Sequence, residues 1–482
     1  MDWILITEII YIIFIIAVCL RIIYDTNSVT KTLGYLLLVI FLPIIGVFIY
    51  FSFGINYRKN KLYSKKIIDD HLQEKLILQR IETYNSETLK ELGSGNDFER
   101  VSRMIYRSDI SPLTKGNDVK LLINGEQKFP EVFEALKKAQ HHIHIEYYIY
   151  EDDDTGREIE KILIEKAKSG VEVRFIYDDF GSASIRKRLV KRLKENGVKA
   201  YPFYKIKLLA LANRLNYRNH RKIIVIDGKV SFVGGINISN KYSNNFKENT
   251  YYWRDTHLKI SGTATAFLQQ IFIGDWNFCS GEKISIKEEY FPKHQNNTNE
   301  NKFVQIVSSG PDSDRPSIYY SIIQTILSAK EEVLLTSPYF IPGETIMDAL
   351  IMASLSGIKV KLLVPGISDS FFVNAAAKSY YNDLLKAGVE IYLYNKGFVH
   401  AKTLVADRLL CIVGTANMDY RSFDLNFEVN AVVYDENTSQ QLAENFDKDI
   451  TVSEKIDHKE WLKRPKHTQL VEKVIRLVSP LL

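Results

Sequence analysis

Two histidines, each followed two positions later by a lysine, are the residues of this chain best suited to chemistry: His220 with Lys222, and His400 with Lys402. The stretches that hold them are copies of one another. NHRKIIVIDGKVSFVGGINIS begins at Asn219 and VHAKTLVADRLLCIVGTANMD at Val399. In both, a Lys follows the His by 2 positions, an Asp by 7, a Gly by 14 and an Asn by 17. A neutral imidazole attacks an electrophile, an imidazolium protonates a leaving group, and an ammonium neutralises phosphate oxygens as a point charge. On a strand, residues two apart share a face, so each His points the same way as its Lys. A lone histidine is more often a satisfied core residue; duplication at identical offsets reverses that judgement. One copy supplies half of a phosphoryl-transfer site, and two copies complete it.

The duplicated HxKxxxxD, with its trailing GG-I-N or GT-A-N, resembles the phospholipase D superfamily. Within that superfamily the chain is similar to bacterial cardiolipin synthases over nearly its whole length, including the apolar N-terminal segment, TSPYFIPG from Thr336 and the ending SPLL from Ser479. The resemblance implies two pseudo-symmetric phospholipase D-like α/β sandwich lobes, preceded by two transmembrane helices, with the active site where the lobes meet. It also implies a reaction: a phosphatidyl group passes from one phosphatidylglycerol to another, with release of glycerol, through a phosphatidyl-histidine. His220 would be the nucleophile and His400 the acid, an assignment that the residues alone do not make. A lipid hydrolase, or a transferase with another alcohol acceptor, would use the same residues; a nuclease of the superfamily fits less well.

In this reading Lys222, Lys402, Asn237 and Asn417 hold the nonbridging phosphate oxygens. Asp227 and Asp407 complete the motif and count with the catalytic set. Their strand parity is opposite to that of the lysines, however, and the resemblance gives them a structural role near the turn. A histidine nucleophile needs a carboxylate on its other nitrogen to fix one tautomer. Glu428 in FEVNAVVY and Asp255 in WRDTHLKI are the candidates, each just ahead of a strand able to run beside a His strand. Glu248 competes with Asp255, since it matches Glu428 in its offset of 28 from the His, but the strand register favours Asp255.

No metal and no cofactor is expected. His142, His144 and Glu146 share one strand face without a second ligand cluster, and the acidic run Glu151 to Asp154 reads as a solvated turn at a helix start. No nucleotide-binding fingerprint is present at a suitable position.

The duplication extends beyond the motif. FEALKKAQHHIHIEYYIY from Phe133 parallels IQTILSAKEEVLLTSPYF from Ile323, SGVEVRFIYDD from Ser169 parallels SGIKVKLLVPG from Ser356, and NGVKAYPFY from Asn196 parallels AGVEIYLYN from Ala387. Helix, strand, helix, strand recurs and ends in the His strand, which predicts an α/β fold: a mixed sheet covered by helices on both faces. The copies differ before the His. The first carries KIKLLALANRLNYR from Lys205, apolar and basic, where the second has only NKGF; the insertion suits either a membrane surface or the core. NNTNEN from Asn296 reads as a joint between lobes, and LVEKVIRLVSPLL from Leu470 as an amphipathic tail, which the resemblance implies is docked.

The chain has 482 residues, a net charge of +5 and three widely spaced cysteines, which excludes a disulfide framework and a zinc-type spacing. Mild basicity suits anionic lipid or nucleic acid and decides for neither, and no extended basic and aromatic stripe argues for nucleic acid. Two apolar runs open the chain, Ile4 to Leu20 and Thr32 to Phe53; the second is the longer and carries no charge inside it. Arg58, Lys59, Lys61, Lys65 and Lys66 follow the second run, against Arg21 and Lys31 around the connecting loop, which places the C-terminal part in the cytoplasm by the positive-inside rule. The expected organisation is a two-helix membrane anchor over 1–57, a linker helix region over 58–110, a first lobe over 111–295 and a second lobe with its tail over 296–482. The expected partners are phosphatidylglycerol, other anionic phospholipids and the cell membrane.

Overall fold

A computed structural model describes residues 3–26, 29–51, 71–93, 97–204, 217–292 and 301–477. The basic cluster at 58–66, the insertion from 205 to 216, most of the asparagine-rich joint and the terminal SPLL lie outside the described residues.

The first apolar run forms one helix, Trp3–Asp25 (α1), and is the helix among the described residues that is long and apolar enough to cross a membrane. The second run, which sequence favours as a span, divides into Val29–Phe41 (α2) and Pro43–Ile49 (α3). The break is at Leu42, whose φ of −134° and ψ of 67° leave the helical region. Pro43 is the cause: it has no N–H to donate, and its ring steers the preceding residue away from helical geometry. Past the bend, Gly46 lies so close to the Leu38 carbonyl that an added Cβ would come within 2.4 Å of it. Val18 and Ile22 of α1 pack against Val39 and Tyr50 of this bent hairpin.

The first half of the soluble part contributes seven long-sheet strands: Thr114–Ile123 (β1), His142–Tyr147 (β2), Glu172–Tyr177 (β3), Lys199–Pro202 (β4), Ile223–Ile226 (β5), Val230–Gly234 (β6) and Thr256–Gly262 (β7). The second half contributes Lys302–Ser309 (β8), Glu332–Thr336 (β9), Lys359–Pro365 (β10), Glu390–Tyr394 (β11), Thr403–Ala406 (β12), Leu410–Gly414 (β13) and Asn426–Tyr434 (β14). From the middle outward the first half runs β1-β7-β6-β5-β2-β3-β4 and the second β8-β14-β13-β12-β9-β10-β11. The orders are identical, and the halves join edge to edge where β1 pairs antiparallel with β8. In each half the third and fourth strands lie parallel to the second, as helical crossovers require, and the motif hairpin is antiparallel.

Three cores follow from this arrangement. Ile143, Ile145, Phe175, Ile224 and Phe232 bury one face of the first half against its crossover helices, and Leu335, Leu362, Leu404 and Ile412 do the same in the second. The third core is shared. Ile223, Val225, Val233 and Leu258 of the first half meet Leu334, Leu363, Val405 and Val413 of the second, so the inner faces of both half-sheets close on one another. This explains why the strands read as continuous apolar runs, with β5, β12 and β14 buried at every position.

The stretch read as a linker is helical over His71–Leu92 and Glu99–Asp109, and it packs on the second half although it precedes the first. Leu89, Phe98, Val101 and Ile105 enter the core of the second half, and Asp109 accepts the Ser308 amide at 2.9 Å. The C-terminal helix Lys466–Leu477 docks on the helix Phe371–Lys386, with Arg476 over the Tyr380 ring at 4.1 Å.

Candidate active site

Each motif histidine sits immediately after a short strand that crosses to the other half. Arg218–Asn219 pairs in parallel with Asn426–Phe427, and Gly397–Val399 pairs in parallel with Tyr252–Arg254. The His220 amide donates to the Phe427 carbonyl at 3.0 Å and the His400 amide to the Arg254 carbonyl at 2.7 Å. The residue after each acceptor is therefore delivered to the opposite imidazole. Glu428 Oε2 lies 2.9 Å from His220 Nδ1, and Asp255 Oδ2 lies 2.7 Å from His400 Nδ1. With both Nδ1 atoms engaged, the proton-accepting lone pair of each neutral ring is on Nε2. Glu248, the competitor of Asp255, is exposed and is not in this arrangement.

The motif residue after Gly234 or Gly414 makes room for the carboxylate. An added Cβ on Gly235 would fall 2.1 Å from Asp255 Oδ1, so only glycine fits beside that carboxylate. At the matching position Thr415 donates its hydroxyl to Glu428 Oε2 at 2.5 Å, and Asn426 Nδ2 reaches Oε1 at 3.2 Å. The GG and GT of the two copies thus serve the same carboxylate position by different means.

Lys222 and Lys402 are buried on the same faces as their histidines. Lys222 Nζ donates to the His220 carbonyl at 2.8 Å, and Lys402 Nζ lies 2.9 and 3.0 Å from the two ring nitrogens of His400. Burial, then mutual repulsion, pulls Lys222 down to about 7; burial pulls Lys402 down to about 8, against the attraction of Asp255 and Glu428. Burial likewise lowers His220 to about 4 and His400 to about 3, with the lysines adding to it and the carboxylates opposing it. Asp255 and Glu428 stay below the ordinary carboxylate range although burial pushes them up, because the lysines and histidines around them outweigh it. At neutral pH both imidazoles are therefore neutral bases beside ionised carboxylates. Tyr148 stands edge-on to His220 with ring centroids 4.9 Å apart, and Trp253 flanks His400 at 5.2 Å.

The two asparagines differ. The Asn237 amide is engaged, accepting from the Ile149 N–H at 3.2 Å and donating to the Tyr242 hydroxyl at 3.0 Å. Asn417 is buried with its Oδ1 unpartnered among the described residues.

Asp227 and Asp407, counted with the catalytic set from sequence, have both carboxylate oxygens engaged by backbone amides at the hairpins. Asp227 accepts the amides of Gln140, His141 and His142 at 2.7–2.9 Å, and Asp407 those of Lys330, Glu331 and Glu332 at 2.8–2.9 Å. Each holds the start of the second strand of its half to the motif hairpin. Both adopt left-handed backbone, φ 53° and 52°, the turn conformation that Asp tolerates best after Gly and Asn.

Other polar clusters resolve as structure. Gln269 bridges His142 Nε2 at 3.2 Å and His144 Nδ1 at 2.7 Å, and His144 Nε2 faces Arg174 at 3.2 Å. Among the described residues no group of three or more His, Cys, Asp or Glu is placed to hold a metal. In the acidic run, Asp153 caps the helix Asp154–Lys168 through the Gly156 amide at 3.0 Å. Sequence reasoning missed Tyr148, Thr415, Arg218 and Arg421; the last two place positive charge near Tyr148 and so near His220. Tyr148 and Arg218 lie in the same half as His220, and Thr415 and Arg421 in the half of Glu428; apart from Thr415 in its GT-A-N, no local spacing marks them, because the fold brings them to the site.

The chain matches the family described as cardiolipin synthase, phospholipase D-like domain, over residues 132–276 and again over 322–450. It is 40% identical over 481 residues to the cardiolipin synthase of Alkalihalophilus pseudofirmus, covering 98% of this chain and 93% of that one. It is 39% identical over 481 residues to the major cardiolipin synthase ClsA of Bacillus subtilis, covering 97% and 98%. Among solved structures, the phosphatidylserine synthase of Haemophilus influenzae shares the fold at a TM-score of 0.60 and 14% identity, covering 80% of this chain and all of that one. A family match over both halves of the duplication, with this identity along nearly the whole chain, makes the protein a member of the cardiolipin synthase family, phosphatidyltransferases of the phospholipase D superfamily.

Proposed function

We propose that the chain makes cardiolipin from two molecules of phosphatidylglycerol at a single site built by His220, His400, Lys222, Lys402, Glu428 and Asp255. The observation that carries this reading is the reciprocal pairing of each imidazole with a carboxylate from the other half. His220 Nε2 attacks the phosphorus of the first lipid, the bond from phosphorus to the glycerol headgroup oxygen breaks, and His400 gives that oxygen its proton. In the second step His400 takes the proton of a hydroxyl on the second lipid's glycerol. That oxygen attacks phosphorus, the bond from phosphorus to nitrogen breaks, and His220 is regenerated. One phosphodiester replaces another, so no activated donor is consumed.

Lys222 and Lys402 neutralise the nonbridging oxygens, and Asn417 offers a further polar contact. Burial is the main cause of the low value of His400, and the lysines add to it; an anionic phosphodiester between the lysines offsets their share, which helps His400 carry the proton it must donate. Two imidazoles so placed share one proton across the cycle.

The lipids stay in the bilayer throughout. Removing two acyl chains from it costs about 0.8 kcal/mol per methylene, on the order of 20 kcal/mol for a whole lipid. The site therefore works at the membrane interface, with α1 and the bent α2–α3 hairpin as the anchor and the two halves in the cytoplasm. The five basic residues between Arg58 and Lys66 support that orientation. A reporter cysteine near Asn60 should react with an impermeant reagent only in opened cells; labelling in intact cells reverses the orientation. We also propose the organisation set out from sequence, with the anchor over 1–57, a connecting region over 58–110 and the halves over 111–295 and 296–482.

The test of the reaction is product analysis with purified full-length protein and phosphatidylglycerol. Cardiolipin and glycerol should dominate, with phosphatidic acid a minor product. Mainly phosphatidic acid would make the protein a hydrolase.

A further inference from the structure

The loops that follow the third strand of each half occupy equivalent places and both press on the site. After β3, Asp178 accepts the Asn219 amide at 3.1 Å, next to His220, and the Arg218 guanidinium lies 4.5 Å from the Phe180 ring. After β10, Asp369 accepts the Tyr339 hydroxyl at 2.7 Å and its charge acts on Lys402. These loops also expose large apolar side chains: Phe180 is 56% exposed on the first, and Ile367, Phe371 and Phe372 are 39%, 70% and 58% exposed on the second. Phe371 and Phe372 open the helix Phe371–Lys386, a position that polar and acidic residues normally hold, and their rings stand 5.7 Å apart, edge to face. Nothing in the catalytic arrangement uses these side chains, and large solvated aromatics grouped together mark a surface made to be covered.

We infer that Phe180 on the loop after β3, and Ile367, Phe371 and Phe372 on the loop after β10, insert into the acyl region of the bilayer and set the site at the depth of the lipid phosphate. The inference rests on the proposed lipid substrate and adds which face of the soluble part meets the membrane. Three observations favour a bilayer over another occupant. The apolar side chains stand on the loops that follow the equivalent third strands of the two halves, and the proposed substrate keeps its chains in lipid. The positive charge of Arg218 sits beside Phe180, where an anionic headgroup would be. The chain carries in α1 a helix long and apolar enough to cross a membrane, which as the proposed anchor holds the two halves at the membrane surface. Aromatic rings with a basic residue beside them are the pattern by which proteins sit in that interface.

The test uses the full chain reconstituted in vesicles. The emission that Phe371→Trp adds over its Trp3→Phe parent, which keeps Trp253, Trp276 and Trp461, should be quenched at least about twofold by phospholipid brominated on its acyl chains, while the parent's own emission is not. Phe371→Ser with Phe372→Ser should lower turnover of long-chain phosphatidylglycerol in vesicles about tenfold or more, while turnover of a monomeric short-chain phosphatidylglycerol in detergent-dispersed enzyme stays unchanged. Absence of quenching overturns the inference, as does an equal loss on both substrates. If the patch is instead covered by a second copy of the chain, quenching is absent and the serine variant changes the particle mass in light scattering, which also overturns it. The quenching measurement needs no turnover, so a chain that made no cardiolipin but showed quenching would fail the proposed function and keep this inference.

Discussion

His220 and Glu428 are 208 residues apart in the chain and meet at 2.9 Å. His400 and Asp255 repeat the relationship in the opposite direction, so neither half contains a complete histidine–carboxylate pair. Replacing either carboxylate by its amide keeps the shape and removes the charge that supports the imidazolium, and the amide N–H₂ favours the wrong tautomer. Glu428→Gln and Asp255→Asn should each lower kcat by about 10²–10⁴, with KM changed far less. The check is turnover of phosphatidylglycerol alongside thermal unfolding; a loss of less than about tenfold in a folded variant would remove the carboxylates from the mechanism.

The two histidines act on the same bond, one as nucleophile and one as acid. His220→Ala and His400→Ala should each abolish transfer to the limit of detection, and the double variant should be no worse than the poorer single one. Additive losses, measured by cardiolipin formation over long incubations, would mean two independent sites.

Asp227 and Asp407 should behave differently from the rest of the motif. Each accepts three backbone amides at a hairpin, and removal leaves those donors without their acceptor at about 1 kcal/mol or more apiece. Asp227→Ala and Asp407→Ala should lower stability by about 2–4 kcal/mol in denaturant unfolding. Activity per folded molecule should remain within about tenfold of the parent, a far smaller loss than the histidine variants show.

Metal chemistry has no place in the proposed cycle, because Lys222 and Lys402 stand where a cation would neutralise the phosphate. Cardiolipin formation should persist after exhaustive chelation. A loss restored only by a divalent cation would return attention to the acidic turn at Glu151 to Asp154.

The repeat made much of this legible. Fixed offsets between the copies name both histidines, both lysines and the hairpin aspartates, and the shared helix-strand pattern gives two equivalent halves. Strand register singles out Asp255 and Glu428, both expected just ahead of a strand; Asp255 does precede β7, whereas Glu428 lies inside β14. The exchange of carboxylates between halves is not readable, because it depends on Arg218–Asn219, Tyr252–Arg254 and Gly397–Val399, strands too short to carry a periodicity. The break of the second apolar run was visible only as Pro43, and proline inside an apolar run is compatible with both a kinked span and a bent hairpin. Phe180 and Phe371 gave no signal, since exposure is not encoded in residue type.

The buried charges of the site set a trade between activity and stability. Lys222 ionises at about 7 in the folded chain and near 10.5 when unfolded. Below pH 7 it is protonated in both states, and the folded state bears the full cost of the buried charge. Between about 7 and 10.5 the unfolded chain binds the extra proton, so stability rises with pH and the cost has gone by the top of that window. The histidines follow the same sign lower down: unfolded they protonate near 6.5, folded only near 4 and 3, so stability falls as pH drops from about 6.5 to 3. Lys222→Met should therefore abolish turnover while raising stability at pH 6. The upper bound is about 5 kcal/mol from the shift, reduced by about 1 kcal/mol for the hydrogen bond lost to the His220 carbonyl. The gain should shrink steadily above pH 7 and disappear by about pH 10.5. Urea unfolding of the parent and the variant at a series of pH values measures it; a variant less stable than the parent at pH 6 would show that Lys222 stabilises the fold as well as serving the site.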